Sequence, residues 1–417
     1  MHRSDRTGAI GAYGDNAASA LLRHQPFTLF WTARVSSIVA FQAQAVAVGW
    51  QIYAITGSAF YLGLVGLVQF LPMFFLTLVV GYVSDRFDRR SVAWFCQITE
   101  GLAALMLAAG SFGGWLNAEV ILVVTFVLGS ARAFEGPSMQ ALMPGLVPRE
   151  LFPPAAAWTA SATQMAAICG PALGGLLYAA DATIAYAAAG LLFFVAGLLV
   201  FLIPHRRIPA GGEPTTTRSL FAGIAFIRSH PVVLGAISLD LFAVLLGGAT
   251  ALLPIYARDI LATGPWGLGL LRSAPAVGAL AMSLFLVRHP LKRRVGRTMF
   301  IAVAAFGLAT IMFAVSVSFP FSLAMLVLLG AADVVSVVIR MSLVQLGTPD
   351  QMRGRVSAVN SLFIGTSNQL GEFESGLTAA WFGTVPATLI GGIGTLVVAI
   401  LWIRLFPELA RKDALDG

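Results

Sequence analysis

Apolar runs separated by short polar turns constrain this chain more than any motif in it. Six runs cover 27–54, 60–83, 91–112, 119–144, 155–180 and 182–204, and six more cover 232–257, 264–287, 297–317, 320–344, 355–382 and 385–406. A helix of about 20 apolar residues crosses the roughly 30 Å hydrocarbon core of a bilayer. In lipid, a helix satisfies its backbone hydrogen bonds within one segment, which an isolated strand or loop cannot do. The runs therefore predict an all-α polytopic membrane protein of twelve transmembrane helices. Composition agrees, with 58% of the 417 residues hydrophobic and 11% charged, against about a quarter charged in soluble proteins.

Charge placement gives the order and the sidedness. Between the sixth and seventh runs lies a linker, 205–230, rich in Pro, Gly and Thr at first. It ends in an amphipathic stretch, Ser219–Ser229, suited to a membrane surface. The expected domains are an N-terminal segment 1–26, a six-helix bundle 27–204, the linker 205–230, a second bundle 231–406 and a tail 407–417. With the N-terminus in the cytoplasm, the inner turns and linker collect Arg86, Arg89, Arg90, Arg149, Arg206, Arg207, Arg288, Lys292, Arg293, Arg294, Arg353 and Arg355, and the outer turns hold Arg258 alone. By the positive-inside rule this predicts that both termini are cytoplasmic. One span more or fewer would move every downstream charge to the other side. The halves also echo each other. At a constant shift of 201 residues Val147-Pro148 falls on Thr348-Pro349, Gly170 on Gly371 and Gly175 on Gly376. That is the trace of parallel six-helix repeats.

Several function classes fall away. The net charge of +7 is spread through turns between apolar runs, so it points to a membrane surface and not to nucleic acid. Cys96 and Cys169 sit inside apolar runs and read as packing residues. Residues 1–25 are polar and lack the apolar core of a signal peptide. No Walker A loop, zinc-protease helix or Cys/His metal spacing is present. His2, His24, His205, His230 and His289 lie in or beside segments expected to be cytoplasmic, away from any metal path across the membrane. The expectation is a protein that is not an enzyme, uses no cofactor or metal, and draws on an ion gradient.

Three motifs carry a family resemblance. The turn after the second run reads Gly81-Tyr-Val-Ser-Asp85-Arg86-Phe-Asp88-Arg89-Arg90. It resembles motif A of the major facilitator superfamily, with Asp88 where that motif has Gly. The plain alternative is a basic stop to a hydrophobic run. In the fourth run, Arg132-Ala-Phe-Glu135-Gly136 resembles motif B, with Glu135 at the Gln position. In the fifth, Gly170-Pro171-Ala-Leu-Gly174-Gly175 resembles motif C, the antiporter motif, with Ala166 at its first Gly. Its glycines let a neighbouring helix approach, and Pro171 leaves a carbonyl without its helical donor. Ordinary small-residue packing is the alternative. Trp50-Gln-Ile-Tyr-Ala-Ile-Thr-Gly-Ser, Gln69-Phe-Leu-Pro and Gly371-Glu-Phe-Glu-Ser-Gly are similar to the bacterial subgroup that includes the enterobactin exporter.

The resemblance implies two pseudo-symmetric six-helix bundles around a central cavity, exchanging access between the two sides. It implies a gating role for Gly81, Asp85, Arg86, Arg89 and Arg90, and helix sealing at Gly170, Pro171, Gly174 and Gly175. It implies proton coupling at Glu135 and Arg132, with Asp333 and Asp240 in the second half. A charge inside the membrane costs a few kcal/mol and tends to face a cavity or a partner. Arg132 and Glu135, three apart, share one helical face, and a purely structural ion pair is the competing reading. The 201-residue shift sets Asp333 opposite Arg132, and Arg34 with Asp240 makes a second candidate pair. Gln42, Gln44, Trp50, Gln51, Gln69, Asn368 and Glu372, with Arg34, are the candidate substrate contacts, although a lone Gln often serves as interhelical glue. Arg272, Arg340, Glu374 and Glu100 are further membrane charges, the last with no evident partner. The expected partners are the lipid bilayer, a small-molecule substrate and protons, with no nucleic acid, and the expected working unit is a monomer. The function expected is proton-coupled export. An importer or lipid flippase on the same fold, and a non-transporting sensor, are the alternatives.

Overall fold

The computed structural model describes Leu21 and residues 23–204, 217–291 and 293–414. The N-terminal segment 1–20 and the linker 205–216 lie outside the described residues. The first half is built from α1 (Gln25–Thr56), α2 (Ala59–Arg86), α3 (Arg89–Phe112), α4 (Ala118–Leu142), α5 (Phe152–Ala180) and α6 (Ala182–Leu202). The second is built from α7 (Pro231–Leu246), α8 (Gly264–Arg288), α9 (Val295–Ala314), α10 (Phe319–Leu346), α11 (Asp350–Phe382) and α12 (Thr384–Leu405).

Local chemistry sets the ends of these helices. Gly57 closes α1 in the left-handed region at φ 60°, with its N–H on the Tyr53 carbonyl. Asp88, Asn117 and Asp181 cap α3, α4 and α6, accepting from the backbone N–H groups of Ser91, Val120 and Thr183. The hydrogen bonds from Thr183 hold the exposed Asp181 carboxyl below its ordinary range. One residue, Gly383 at φ 89°, turns α11 into α12.

The seventh run departs from the sequence expectation. It forms α7 only to Leu246, then resumes as a tight turn, Ala249–Leu252, and a wide π turn, Tyr256–Ile260. The break falls at Gly247-Gly248. A Cβ on Gly248 would stand 2.7 Å from the Gly371 carbonyl oxygen, so α11 comes too close for any side chain there.

Nine helical segments among the described residues are long and apolar enough to cross a membrane. The other three long helices are α4, α5 and α11, of 25, 29 and 33 residues. Length is not what sets them apart. They carry polar, charged and small residues, and several of these, Glu135, Ser138, Asn360 and Ser367 among them, are buried inside the protein.

Each half repeats one packing plan. α1 lies on α5 and α6, α3 on α6, and α2 on α4; α7 lies on α11 and α12, α9 on α12, and α8 on α10. The halves meet along two seams, α5 against α8 and α2 against α11. The linker helix, Thr217–Ser229, lies along the start of α11, where a Cβ on Gly223 would sit 2.9 Å from the Arg355 carbonyl oxygen. It marks one face of the protein, called here the linker face; the opposite one is the far face. The largest buried apolar cluster joins both halves at the far face, with Ile52, Tyr53 and Leu62 against Leu252, Tyr256 and Leu271. Lipid tails are as apolar as leucine, so within the bilayer such contacts are held by close packing and not by release of water.

Candidate transport site

The seams close the far face. On the α5–α8 seam a Cβ on Gly175 would lie 2.5 Å from the Pro265 carbonyl oxygen and 2.9 Å from Gly269 Cα. Midway along it Ser273 Oγ donates to the Ile168 carbonyl at 2.6 Å and Gln164 Nε2 to the Ala276 carbonyl at 2.8 Å. On the α2–α11 seam Gly63 meets Gly376 backbone to backbone, and Gly66 faces Glu372. Arg272 of α8 donates to the Ala45 carbonyl of α1 at 3.1 Å and lies within electrostatic range of Glu372. At the far-face rim the Tyr53 hydroxyl donates to Asp259, and the Arg258 guanidinium lies 5.4 Å from the centre of the Tyr53 ring.

Motif C divides its labour. Gly175 packs across the seam, whereas Gly170 and Gly174 pack inside the first half. A Cβ on Gly170 would strike Gln42, and one on Gly174 would lie 2.5 Å from the Ala43 carbonyl oxygen, both on α1. Pro171 also reaches the seam, its carbonyl oxygen 2.6 Å from where a Cβ on Gly269 would be.

A charged layer crosses the first half. Arg132 Nη1 lies 2.9 Å from Glu135 Oε2. Ser37 of α1 donates to the other carboxylate oxygen at 3.1 Å. The Arg132 guanidinium also lies 4.4 Å from the centre of the Phe41 ring. Glu135 is sealed, its side chain 3% exposed, while that of Arg132 is 29% exposed. So the carboxylate is fixed and its cation faces open space. Arg34 is half-buried within electrostatic range of both.

The second half carries its own cluster. Arg340 Nη2 lies 3.1 Å from Asp240 Oδ2, both side chains under 10% exposed. Arg340 also donates to Asn360 Oδ1 at 3.0 Å. Asp333 stands within electrostatic range of Asp240 and Arg340, and with Asp240 and Ser336 it lines a small recess. The expected pairs, Arg132 with Asp333 and Arg34 with Asp240, therefore do not form in this conformation. The two ion pairs that do form, Arg132–Glu135 and Arg340–Asp240, each lie within one half.

The remaining candidates scatter. Gln51 exchanges hydrogen bonds with Ser111 of α3 and so ties two helices together. Gln44 is buried with neither amide atom paired. Trp50 packs against the far-face cluster. Gln69 presents its backbone to Gly129 of α4, and Asn368 is exposed. Arg89 donates to the Ala141 carbonyl at 3.0 Å and Arg90 to the Ile203 carbonyl at 2.5 Å, so both close the ends of neighbouring helices. Arg86 is exposed. The side chains of Gly81 and Asp85 lie outside the described residues. A cleft of about 720 Å³ between α2, α3 and α4 is lined by Phe87, Phe95, Phe126 and Phe134. It opens on an exposed apolar flank and reaches Cys96 and Ala131, next to the charged layer of the first half.

The sequence reading named Arg340 as a membrane charge without assigning it a partner, and missed Ser37, Phe41, Asn360 and the Tyr53–Asp259 contact. Arg34, Ser37 and Phe41 recur at helical spacing, which was a usable signal. Asp333 and Arg340 are seven apart and share a face, whereas the Tyr53–Asp259 contact links residues far apart in the chain and left no local trace. The Asp240–Arg340 pair allows a direct check. Removing one partner of a buried ion pair costs about 3–5 kcal/mol. Arg340→Met should therefore lower the thermal unfolding midpoint in detergent far more than Arg353→Met, whose guanidinium is half-exposed on Asp350. Equal midpoints would show that the buried pair adds nothing.

Two six-helix halves, small-residue seams and a charged layer within each half fit the architecture of a membrane transporter. A family model described as a transmembrane secretion effector matches residues 16–416, and the chain belongs to that family of the major facilitator superfamily. Similar curated proteins include the enterobactin exporter of Salmonella choleraesuis (strain SC-B67), 26% identical over 400 residues, covering 94% of this chain and 95% of that protein. The enterobactin exporter of Shigella boydii serotype 18 is 27% identical over 405 residues, covering 94% of each. Among solved structures, a bacterial homologue of the human lysosomal transporter Spinster, inward-facing and occupied, superposes with a TM-score of 0.72 at 12% identity, over 92% of this chain and 96% of that one. The nucleoside transporter NupG superposes with a TM-score of 0.65 at 15% identity, over 91% of this chain and 99% of that one. At such identities the structural matches speak for the fold.

Proposed function

We propose that this protein is a proton-driven exporter of a small molecule, working as a monomer in the bacterial inner membrane with its linker face in the cytoplasm. The observation that carries the proposal is the Arg132–Glu135–Ser37 arrangement, a sealed carboxylate held by a cation that itself borders open space. An anion so buried is stable only while its cation stays. A substrate or a conformational change that draws Arg132 away obliges Glu135 to take a proton, and its return expels that proton. This is the exchange an antiporter needs. The basic turns support a cytoplasmic linker face by the positive-inside rule. The closed far face is then the resting state that receives substrate from inside.

The relatives suggest enterobactin as the first probe. The purified protein in inside-out vesicles should accumulate enterobactin when the lumen is made acidic, and a protonophore should abolish the uptake. Uptake indifferent to the gradient would reject proton coupling, and release in place of uptake would reject export.

A further inference from the structure

We infer that Glu100 of α3 is a second proton-binding carboxyl of the first half, which holds a proton while Arg132 is on Glu135 and hands it to Glu135 as Arg132 withdraws. The inference rests on the proton-coupled reading and adds a residue that this reading does not use.

Glu100 is 1% exposed and neither carboxylate oxygen has a hydrogen-bond partner. Gln97, one turn earlier on the same face, is fully buried and also has both amide atoms unpaired. Neither residue faces lipid. α6 walls them in, with Phe194 against Gly101 and Gly197 against the Gln97 side chain. Ala40 of α1, Ala104 of α3 and Phe193 of α6 pack together one turn further along. α1 and α3 run in the same direction, so Glu100, four residues before Ala104, shares the level of Ser37, three before Ala40. Ser37 is the residue that holds Glu135. Glu100 and Glu135 lie within electrostatic range of each other.

A carboxylate sealed from water with neither a cation nor a hydrogen-bond donor is costly to ionise. Glu135 has a cation and a hydroxyl donor, whereas Glu100 has neither, so the proton sits on Glu100. The charged and titratable groups around the pair are Cys96 on α3, Arg132 on α4 and Arg34 on α1; the α6 wall is apolar. In the hand-over the Glu100 O–H bond breaks and an O–H bond forms on Glu135. The negative charge moves to Glu100, where the Gln97 amide is free to donate. A later proton from solution restores Glu100.

The proton can be counted by infrared spectroscopy of the protein in lipid nanodiscs at neutral pH, with carbon-13 glutamate isolating the carbonyl stretch of neutral glutamic acid. Glu100→Gln should remove one unit of that band and Glu135→Gln should leave it. Arg132→Met should add one unit, as Glu135 then protonates. An unchanged band in Glu100→Gln overturns the inference alone, and an unchanged band in Arg132→Met overturns the reading beneath it. In vesicles Glu100→Gln should slow gradient-driven enterobactin uptake about tenfold and change gradient-free counterflow far less, with Glu100→Asp partly restoring the driven rate. Loss of the band with an unaltered driven rate would make Glu100 a structural acid and overturn the relay. Should Glu100→Gln fail to fold, Glu100→Asp decides by the same loss of labelled glutamate signal.

Discussion

Gly175→Val should reduce export at least tenfold while both halves stay folded, whereas Gly174→Val should damage the fold itself. The two glycines are adjacent and the substitution is the same, so the contrast isolates what each one touches. Gly175 meets the backbone of α8 across the seam, at distances where a branched side chain has no room. On the proposed export cycle those atoms separate when the far face opens, so valine would be excluded from the closed form alone. Tenfold corresponds to roughly 1.4 kcal/mol on a barrier, a modest demand for a backbone clash. Gly174 meets Ala43 of α1, a helix of its own half. That contact has no reason to open in any state, and overpacking of this kind costs about 1–3 kcal/mol. The measurement is twofold: thermal midpoint in detergent, and accessibility to a thiol reagent of a cysteine placed at Pro265. Gly175→Val should keep the midpoint and raise the labelling. Low labelling with a normal midpoint would mean that the seam closes without that glycine.

The same glycines show how much was legible in advance. A shift of 201 residues paired Gly170 with Gly371 and Gly175 with Gly376. The structure gives each pair one job. Gly170 and Gly371 pack within their halves, against α1 and α7, while Gly175 and Gly376 pack across the two seams. The repeat was visible because close helix approach demands glycine at fixed positions, and that demand is written in the residue type. What remained hidden was the choice of neighbour. Motif C announces a close approach on α5, and nothing in its letters says whether α1 or α8 is the helix that comes near.

The charged residues follow the same rule. That Arg132 and Glu135 share a face follows from their spacing, because it needs only one helix. The partners Ser37 and Phe41 come from α1 and depend on helix rotation, which hydropathy does not fix. Asp333 was set opposite Arg132 by symmetry, yet in the far-face-closed form it stands with Asp240 and Arg340 in its own half. Symmetry of the fold places residues at equivalent depths. It does not decide which charges pair: both ion pairs observed, Arg132–Glu135 and Arg340–Asp240, draw on helices of a single half.

Glu135→Gln should abolish gradient-driven export and spare substrate binding and gradient-free exchange. The amide keeps the shape of the acid and retains an oxygen to accept from Ser37, but it carries no charge and cannot exchange a proton. Arg132 then loses its ionic anchor and keeps the ring of Phe41 beneath it. With one guanidinium released, the two conformations differ less in electrostatic energy, so exchange continues while the gradient has nothing to act on. In inside-out vesicles the variant should take up enterobactin at the same rate with or without an acidic lumen, and counterflow should stay within a few-fold of the unmodified protein. Arg132→Met provides the complementary case, a carboxyl kept without its cation, and should also lose the response to the gradient. Full gradient-driven uptake by Glu135→Gln would exclude Glu135 as the carrier. The next residue to test is then Asp333, because Asp240 is already fixed on Arg340 while Asp333 borders the recess beside them.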